Sequence, residues 1–277
     1  MKFELDGQSG YAYTGGHTFD AAQPVIAFVH GAQHDHSVWI LQSRWLAHHG
    51  WSVLAFDLPG HGRSPGPPLA DIESMAHWLL RALDACGVKK AVIAGHSMGS
   101  LIALEAAGQQ PQTVSGIALI GTAFPMQVSD TLLQAADQDE QSAFDMINRW
   151  SHARLNHQPG TPGPGFSVYN QSLRLMQRQA PGVLLNDFSA CNAYARGLDR
   201  ASRLHCPALF VLGERDVMTP PKAAKALIDA VPASSVVRIA GCGHAILAEA
   251  PDETRDALAA WMTRLPPDQS TPDRLTA

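Results

Sequence analysis

Ser97 is the residue of this chain best placed to act as a nucleophile. It lies at the centre of the pentapeptide Gly95-His96-Ser97-Met98-Gly99. The largely apolar run 90–94 before it is typical of a buried strand, and the run 100–107 after it is typical of a helix. In this context the two glycines leave room for a strained turn that exposes the serine hydroxyl. The pattern therefore predicts a nucleophilic serine, with the backbone amide of Met98 available to a developing oxyanion.

A serine hydroxyl is a weak nucleophile unless a base takes its proton, and the base needs an acid that orients it. Two later strand-like runs end in suitable side chains. Asp216 follows the run 207–212, and His244 follows the run 235–239. Glu214 is the alternative acid, but it lies closer to its strand, so we favour Asp216.

The loop after the apolar run 24–29 is predicted to supply the second oxyanion donor. That run ends in His30-Gly31, and the amide of Ala32 comes next. The nearby His34-Asp35-His36 could suggest a metal site, but two histidines in a loop lack a visible third ligand, so no metal is predicted. The predicted substrate-binding residues are His30, Gly31, His34, His96, Phe124, Trp150 and Tyr194.

Strands that alternate with helices must position these groups, and this alternation predicts a parallel sheet with helices on both faces. The alternation covers residues 1–122 and 204–265 and includes a predicted helix over 37–49. Residues 123–203 contain no clear strand, and they are predicted to form a helical lid inserted after strand six. The lid's predicted helices span 142–156, 167–179 and 183–196, around a glycine- and proline-rich loop over 159–165 that would let them separate. The polar tail 266–277 is predicted to be disordered.

Composition excludes several classes of function. The chain has 277 residues, 45% hydrophobic and 16% charged, with a formal net charge of −5. It has no basic cluster for nucleic acid and no apolar stretch of the roughly 20 residues that a membrane span needs. The N-terminus lacks a secretory signal, and the four cysteines form no C-x-x-C pair, so we expect free thiols and a cytoplasmic location. Both a monomer and a homodimer are compatible with this composition.

With these motifs the chain resembles the α/β-hydrolase fold superfamily over residues from about 1 to 265. The resemblance implies an α/β fold with an eight-stranded, mostly parallel sheet, a lid after strand six and no cofactor. It also implies a triad of Ser97, Asp216 and His244. The segments that carry it are His30-Gly31, Asp57-Leu58-Pro59-Gly60-His61-Gly62-Arg63-Ser64, Gly95-His96-Ser97-Met98-Gly99, Gly213-Glu214-Arg215-Asp216 and Gly243-His244.

Comparison with subfamilies narrows the expected reaction. A serine at position 97 argues against dehalogenases and epoxide hydrolases, which use aspartate. Ala32-Gln33-His34 departs from the Gly-Pro-Gly of carbon–carbon hydrolases, and His96 from the phenylalanine of perhydrolases. The expected function is that of a carboxylesterase or lactonase acting on a small, largely apolar molecule. A carbon–carbon hydrolase of diketones and a receptor-like protein with negligible turnover remain alternatives.

Overall fold

A computed structural model of the chain describes residues 1–153, 167–231 and 233–265. Its sheet has eight strands in the order β1-β2-β4-β3-β5-β6-β7-β8. The second strand runs antiparallel to its two neighbours, and the remaining pairs are parallel. The expected eight-stranded, mostly parallel sheet is therefore confirmed. The strands are β1 Lys2–Leu5, β2 Gln8–Tyr13, β3 Val25–Val29, β4 Ser52–Asp57, β5 Ala91–His96, β6 Val114–Ile120, β7 Ala208–Gly213 and β8 Ser234–Ile239.

Helices cover both faces of this sheet. They are α1 Ile40–Ala47, α2 Ile72–Ala85, α3 Met98–Gln109, α4 Asp130–Gln138, α5 Glu140–Ser151, α6 Val168–Gln177, α7 Val183–Ala193, α8 Gly197–Ser202, α9 Lys225–Ala230, α10 Ile246–Glu249 and α11 Pro251–Met262. The helix predicted over 37–49 is split into a 3₁₀ turn, His36–Trp39, and α1. The turn forms because the Asp35 side chain accepts a hydrogen bond from the Ser37 amide.

The central strands form because they are apolar along their whole length. Every residue of β3, β4, β5 and β7 is buried, as expected for parallel strands covered on both faces. One apolar cluster lies under α2 and α3, and a second lies under α1 and α11. Helix α2 places its apolar side chains at helical spacing and is capped by Asp71, whose carboxylate accepts from the Ser74 amide.

The described residues between β6 and β7, which we call the helical segment, include helices α4 to α8. Three of these agree with predicted helices, whereas α4 and α8 were not predicted because they are only nine and six residues long. The segment has a small apolar core of its own, formed by Leu132, Ala136, Ala143, Phe144, Ile147, Met176, Leu184 and Phe188. The predictions for 159–165 and 266–277 lie outside the described residues. Within the described ranges, no helix is both long and apolar enough to cross a bilayer.

Candidate active site

Ser97 occupies a sharp turn between β5 and α3. Its backbone φ is 53°, in the left-handed region that side chains rarely adopt. Both flanking glycines are required by space. A Cβ at Gly95 would lie 1.9 Å from the Gly99 carbonyl oxygen, and one at Gly99 would lie 2.3 Å from that of Val29. The turn therefore holds the half-buried serine at the carboxyl end of the sheet, where open α/β folds place their sites.

The loops after β7 and β8 bring the other two predicted residues to the serine. The Ser97 Oγ lies 3.0 Å from His244 Nε2. The His244 Nδ1 lies 2.8 Å from Asp216 Oδ2. Glu214, the alternative acid, is exposed to solvent. A hydroxyl, an imidazole and a carboxylate are thus linked in series, the arrangement that serine nucleophiles require.

Asp216 is held by several donors at once. Its Oδ1 accepts from the amides of Met218 and Thr219, each at 2.8 Å. Its Oδ2 accepts from the Thr219 hydroxyl at 2.7 Å. Burial alone would raise the pKa of the Asp216 carboxyl, but the neighbouring His244 and these hydrogen bonds hold it below the usual value. The carboxylate therefore stays charged beside the imidazole.

Thr219 is a part of this site that sequence reasoning missed. Its Oγ1 lies 3.0 Å from His244 Nδ1 and 2.9 Å from the carbonyl oxygen of Gly121. The available signal was the spacing Asp216-x-x-Thr219, because an aspartate that starts a turn often accepts hydrogen bonds from the residues two and three positions later.

Two backbone amides near Ser97 have no competing partner. Met98 is the first residue of α3, so its N–H has no helical acceptor. Ala32 follows β3 and lines the same cavity as Ser97. Among the described residues, neither amide donates a hydrogen bond. Both N–H groups are therefore free to bind an oxyanion.

Ser97 and His244 open into a cavity of about 390 Å³ beneath the helical segment. Most of its lining is apolar, as in most small-molecule sites. The loop around Val217 was not among the predicted site residues. The lining residues are Ala32, Ser97, Met126, Gln127, Val128, Ser129, Leu132, Trp150, Phe188, Cys191, Val217, Met218, Thr219 and His244.

His30 and His96, both predicted to bind substrate, are not among the residues that line the cavity. The Nδ1–H of His30 donates to the Gly31 carbonyl at 2.8 Å, and its Nε2 accepts from the Leu58 amide at 3.2 Å. The His96 Nε2–H donates to the carbonyl of His244 at 2.9 Å. Burial lowers the pKa of His30 to about 4 and that of His96 to about 3. Both side chains are neutral supports and do not line the cavity.

Gly31 and His34, both predicted to contact the substrate, instead support the loop after β3. Gly31 packs against Ser97, because a Cβ there would lie 3.2 Å from the serine Cβ. His34 donates from Nδ1 to the carbonyl of Ala32 at 2.6 Å, and burial lowers its pKa. These residues shape the loop that carries Ala32.

Of the three aromatic residues predicted to contact substrate, only Trp150 lines the cavity. The prediction for Tyr194 needs correction, because its buried hydroxyl donates to Glu105 Oε2 at 3.0 Å. Phe124 packs edge-on against the Tyr194 ring at 6.0 Å and does not reach the cavity either. Both rings fasten the helical segment to the sheet domain.

A possible metal cluster consists of Asp35, His36 and Asp57, whose ligand atoms lie within 4.8 Å of one another. Asp57 accepts from the backbone amides of His36 and Arg63 at 2.7 and 2.8 Å. Asp35 accepts from Ser37, Arg178 and Gln179. Protein N–H groups therefore already occupy the carboxylate oxygens that a metal would need.

Comparisons with known proteins agree with this architecture. The family model of the alpha/beta hydrolase fold matches residues 24–251. The putative carbamate hydrolase RutD of Klebsiella pneumoniae is 28% identical over 236 residues, 80% of this chain and 85% of that protein. The pimeloyl-[acyl-carrier protein] methyl ester esterase of Chromobacterium violaceum is 27% identical, covering 80% and 87% of the two chains.

A similar fold is also found among solved structures. The enol-lactonase of Burkholderia xenovorans LB400 superimposes with a TM-score of 0.82 at 20% identity, covering 95% of this chain and all of that one. At this sequence identity the likeness concerns the fold alone. Because the family model spans most of the sheet, the helical segment and the loops that hold Ser97, Asp216 and His244, this chain belongs to the α/β hydrolase fold family.

Proposed function

We propose that this chain is a serine hydrolase that cleaves a carboxylic ester or lactone of a small, largely apolar substrate. The observation that carries the proposal is the series Ser97 Oγ to His244 Nε2 at 3.0 Å and His244 Nδ1 to Asp216 Oδ2 at 2.8 Å. This series opens into an apolar cavity of about 390 Å³. A nucleophile, a base and an apolar binding space thus meet at one point.

The first half of the reaction forms an acyl-enzyme. Ser97 Oγ attacks the carbonyl carbon while its proton passes to His244 Nε2, and Asp216 stabilises the resulting imidazolium. The amides of Ala32 and Met98 bind the tetrahedral oxyanion. When the intermediate collapses, the carbon–oxygen bond to the leaving group breaks and His244 protonates the departing alkoxide.

The second half regenerates the enzyme. His244 takes a proton from water, the hydroxide attacks the acyl carbon, and the carboxylic acid leaves as the proton returns to Ser97. All proton transfers use side chains of this chain, so the proposed reaction needs no cofactor. In a lactone the alcohol and the acid remain parts of one product.

The helical segment is proposed to act as a lid, with residues 1–122 and 204–265 as the hydrolase core and 123–203 as the lid. Support comes from the cavity lining, because Met126, Trp150 and Phe188 belong to this segment. The named activities of the relatives, on a carbamate, a methyl ester and an enol-lactone, all involve attack on an acyl carbon. This shared feature supports acyl transfer at Ser97.

The experiment is a substrate panel assayed with the parent protein and with Ser97→Ala. The panel contains p-nitrophenyl acetate, butyrate and octanoate, an aliphatic lactone, a carbamate and a meta-cleavage diketone. We expect sustained turnover of an ester or lactone, and a loss of about 10⁴- to 10⁶-fold in kcat for Ser97→Ala. Ser189→Ala, which changes an exposed serine on α7, is the control.

Covalent labelling and the substrate panel distinguish an ester or lactone hydrolase from a receptor-like protein and from a carbon–carbon hydrolase. Intact mass spectrometry should detect one fluorophosphonate adduct on the parent protein and none on Ser97→Ala. A single acylation without further turnover would indicate a receptor-like protein instead. Preferential turnover of the diketone would indicate a carbon–carbon hydrolase.

A further inference from the structure

The loop that carries Ala32 has a strained backbone that something must hold. Gln33, the next residue, has a φ of 57° although it is not a glycine. Such a conformation is unfavourable for a residue with a Cβ and must be held by its surroundings. Gln33 is also buried, so its amide cannot rely on bulk water for a partner.

The partner of this amide comes from helix α7 of the helical segment. Asp187 is fully buried, and its Oδ2 accepts from the Gln33 amide at 2.9 Å. The same oxygen accepts from His61 Nε2, also at 2.9 Å. One carboxylate oxygen therefore joins the loop after β3 to the loop after β4.

His61 presents both of its ring nitrogens to protein oxygens. The Nδ1 of His61 faces the Pro59 carbonyl oxygen at 3.0 Å, while its Nε2 faces the carboxylate. Two oxygens facing the two ring nitrogens favour the doubly protonated ring. Burial would lower the pKa of His61, but the Asp187 charge outweighs it and the pKa is raised. The pair is a buried ion pair.

Ala32 lies between two peptide planes that are both held in place. The Gly31 carbonyl accepts from His30 Nδ1 at 2.8 Å and from the His34 amide at 3.3 Å. In a planar trans peptide the N–H points opposite to the C=O, so the bonds to the Gly31 carbonyl also fix the direction of the Ala32 N–H. In the following plane, the Ala32 carbonyl accepts from His34 and the Gln33 amide donates to Asp187. Among these residues that hold the two peptide planes, Asp187 is the one that belongs to the helical segment.

Neighbouring residues of the helical segment bind the same two loops. Arg178 Nε and Gln179 Nε2 each donate to Asp35 Oδ2 at 2.9 Å. The Gln179 side-chain oxygen accepts from the Gly62 amide at 2.9 Å. The helical segment is therefore fastened directly to the loop that carries the candidate oxyanion amide.

We propose that Asp187 is a positioning residue for oxyanion binding: its buried carboxylate holds the Gln33 amide, which fixes the peptide plane after Ala32 and so limits the rotation of Ala32 that would turn its N–H away from the reacting carbonyl. The inference rests on the proposed serine-hydrolase function. It means that the oxyanion site is complete only when α7 is docked on the sheet domain.

The test compares three variants on the best ester of the panel. Asp187→Ala removes the acceptor, and Asp187→Asn keeps an amide oxygen that can accept from Gln33. Arg200→Gln is the matched control, because it disrupts another buried ion pair of the helical segment, with Glu105, that does not touch the Ala32 loop. We expect Asp187→Ala to lose about 10- to 100-fold in kcat with KM within about 3-fold, less than deletion of an oxyanion donor. Asp187→Asn should recover most of that loss.

Two binding measurements separate positioning from mere support of the fold. The affinity for an alkyl boronic acid, which forms a tetrahedral adduct on Ser97, should fall in Asp187→Ala by about the same factor as kcat/KM. Ester affinity in the Ser97→Ala background should be unchanged by adding Asp187→Ala. If Asp187→Ala is insoluble, His61→Leu/Asp187→Leu replaces both charges by apolar groups and should show the same selective loss of kcat.

The outcomes distinguish this inference from the proposed function. If the parent protein is active but Asp187→Ala loses no more kcat than Arg200→Gln, Asp187 is only structural. A loss that appears in ester affinity in the Ser97→Ala background would also overturn the inference. A parent protein that hydrolyses nothing in the panel and takes no boronic acid overturns the proposed function, and the role of Asp187 with it.

Discussion

At the scale of single residues, Thr219 explains how a carboxylate and an imidazole keep one geometry. Its hydroxyl lies within hydrogen-bond distance of Asp216 Oδ2, His244 Nδ1 and the Gly121 carbonyl. A hydroxyl has one proton and two lone pairs, so it can donate to one of these oxygens and accept from the imidazole N–H. Thr219 therefore limits the rotation of both side chains.

Thr219→Val tests this role with a side chain of the same shape. We expect kcat to fall about 10-fold with KM within about 3-fold, because the imidazole is less well oriented while the cavity is unchanged. The free energy of unfolding should fall by about 1 to 2 kcal/mol, because one of the two buried oxygens that face the hydroxyl, Asp216 Oδ2 or the Gly121 carbonyl oxygen, loses its donor. Steady-state kinetics and urea denaturation measure the two effects.

The control is Thr254→Val, which changes a buried threonine of α11 whose hydroxyl donates to the Ala250 carbonyl at 2.7 Å and which does not line the cavity. It should lose stability without losing kcat. Equal loss of kcat in both variants would mean that Thr219 acts only through stability.

At the scale of elements, α7 serves the site with two of its faces. Asp187 reaches the loops after β3 and β4, whereas Phe188 and Cys191, three residues apart, line the cavity. Residues three apart share a helix face, so one helix can both fasten the segment and contact the substrate. Other large side chains of the segment, Phe144 and Met176 among them, belong to its apolar core and do not line the cavity. Phe166, also predicted to be a lid residue, lies outside the described residues.

Phe188→Ala tests whether the helical segment selects the substrate. We expect kcat/KM for the octanoate ester to fall about 10- to 100-fold relative to the acetate ester, since one lost apolar contact changes discrimination by about 1 to 3 kcal/mol. The measurement is kcat/KM for the acetate, butyrate and octanoate esters.

Phe144→Ala is the matched control. Phe144 is 6% exposed and Phe188 is 7% exposed, and both belong to the core of the helical segment, but only Phe188 lines the cavity. Both variants should lose stability, and the octanoate-to-acetate ratio should change in Phe188→Ala alone. An unchanged ratio in Phe188→Ala would show that this residue does not select chain length.

At the scale of the whole molecule, buried histidines set how stability depends on pH. Burial, helped by neighbouring His61, lowers the pKa of His30 to about 4, and burial, helped by His244, lowers that of His96 to about 3. Below pH 6.5 the unfolded chain takes up protons at these positions while the folded chain does not, so acid favours unfolding. The contribution of His61 to stability has the opposite sign. Because its pKa is raised, protonated His61 stabilises the folded state below pH 6.5, and this contribution is lost only as the pH rises.

We therefore predict that the free energy of unfolding falls between pH 6 and pH 5, with each of the two histidines costing about 2 kcal/mol at pH 5. Asp35, Asp216 and Glu105 have lowered pKa values, so their contributions are lost only at lower pH. Urea denaturation across this range measures the slope. His96→Gln should reduce the slope by about one proton, whereas His205→Gln, at an exposed position, should leave it unchanged. Equal slopes in all three proteins would contradict this assignment.

The amino-acid sequence by itself determined the sheet and the turn at Ser97. Strands buried on both faces are continuous apolar runs, so β3, β4, β5 and β7 are readable locally. The Ser97 turn is also local, because its two glycines and its serine lie within five residues. The order of the strands along the chain then predicts that Asp216 and His244 lie at the same end of the sheet.

Only the tertiary structure decided which side chains meet across long separations. Glu214 is exposed, whereas Asp216, only two residues later, is hydrogen-bonded to His244. Asp187 meets the Gln33 amide across 154 residues, and no local pattern marks that contact. Tyr194 was expected at the substrate and instead donates to Glu105. Local propensity sets the elements, but the packing of the helical segment on the sheet decides which of its polar and aromatic groups face the cavity and which are used to hold it in place.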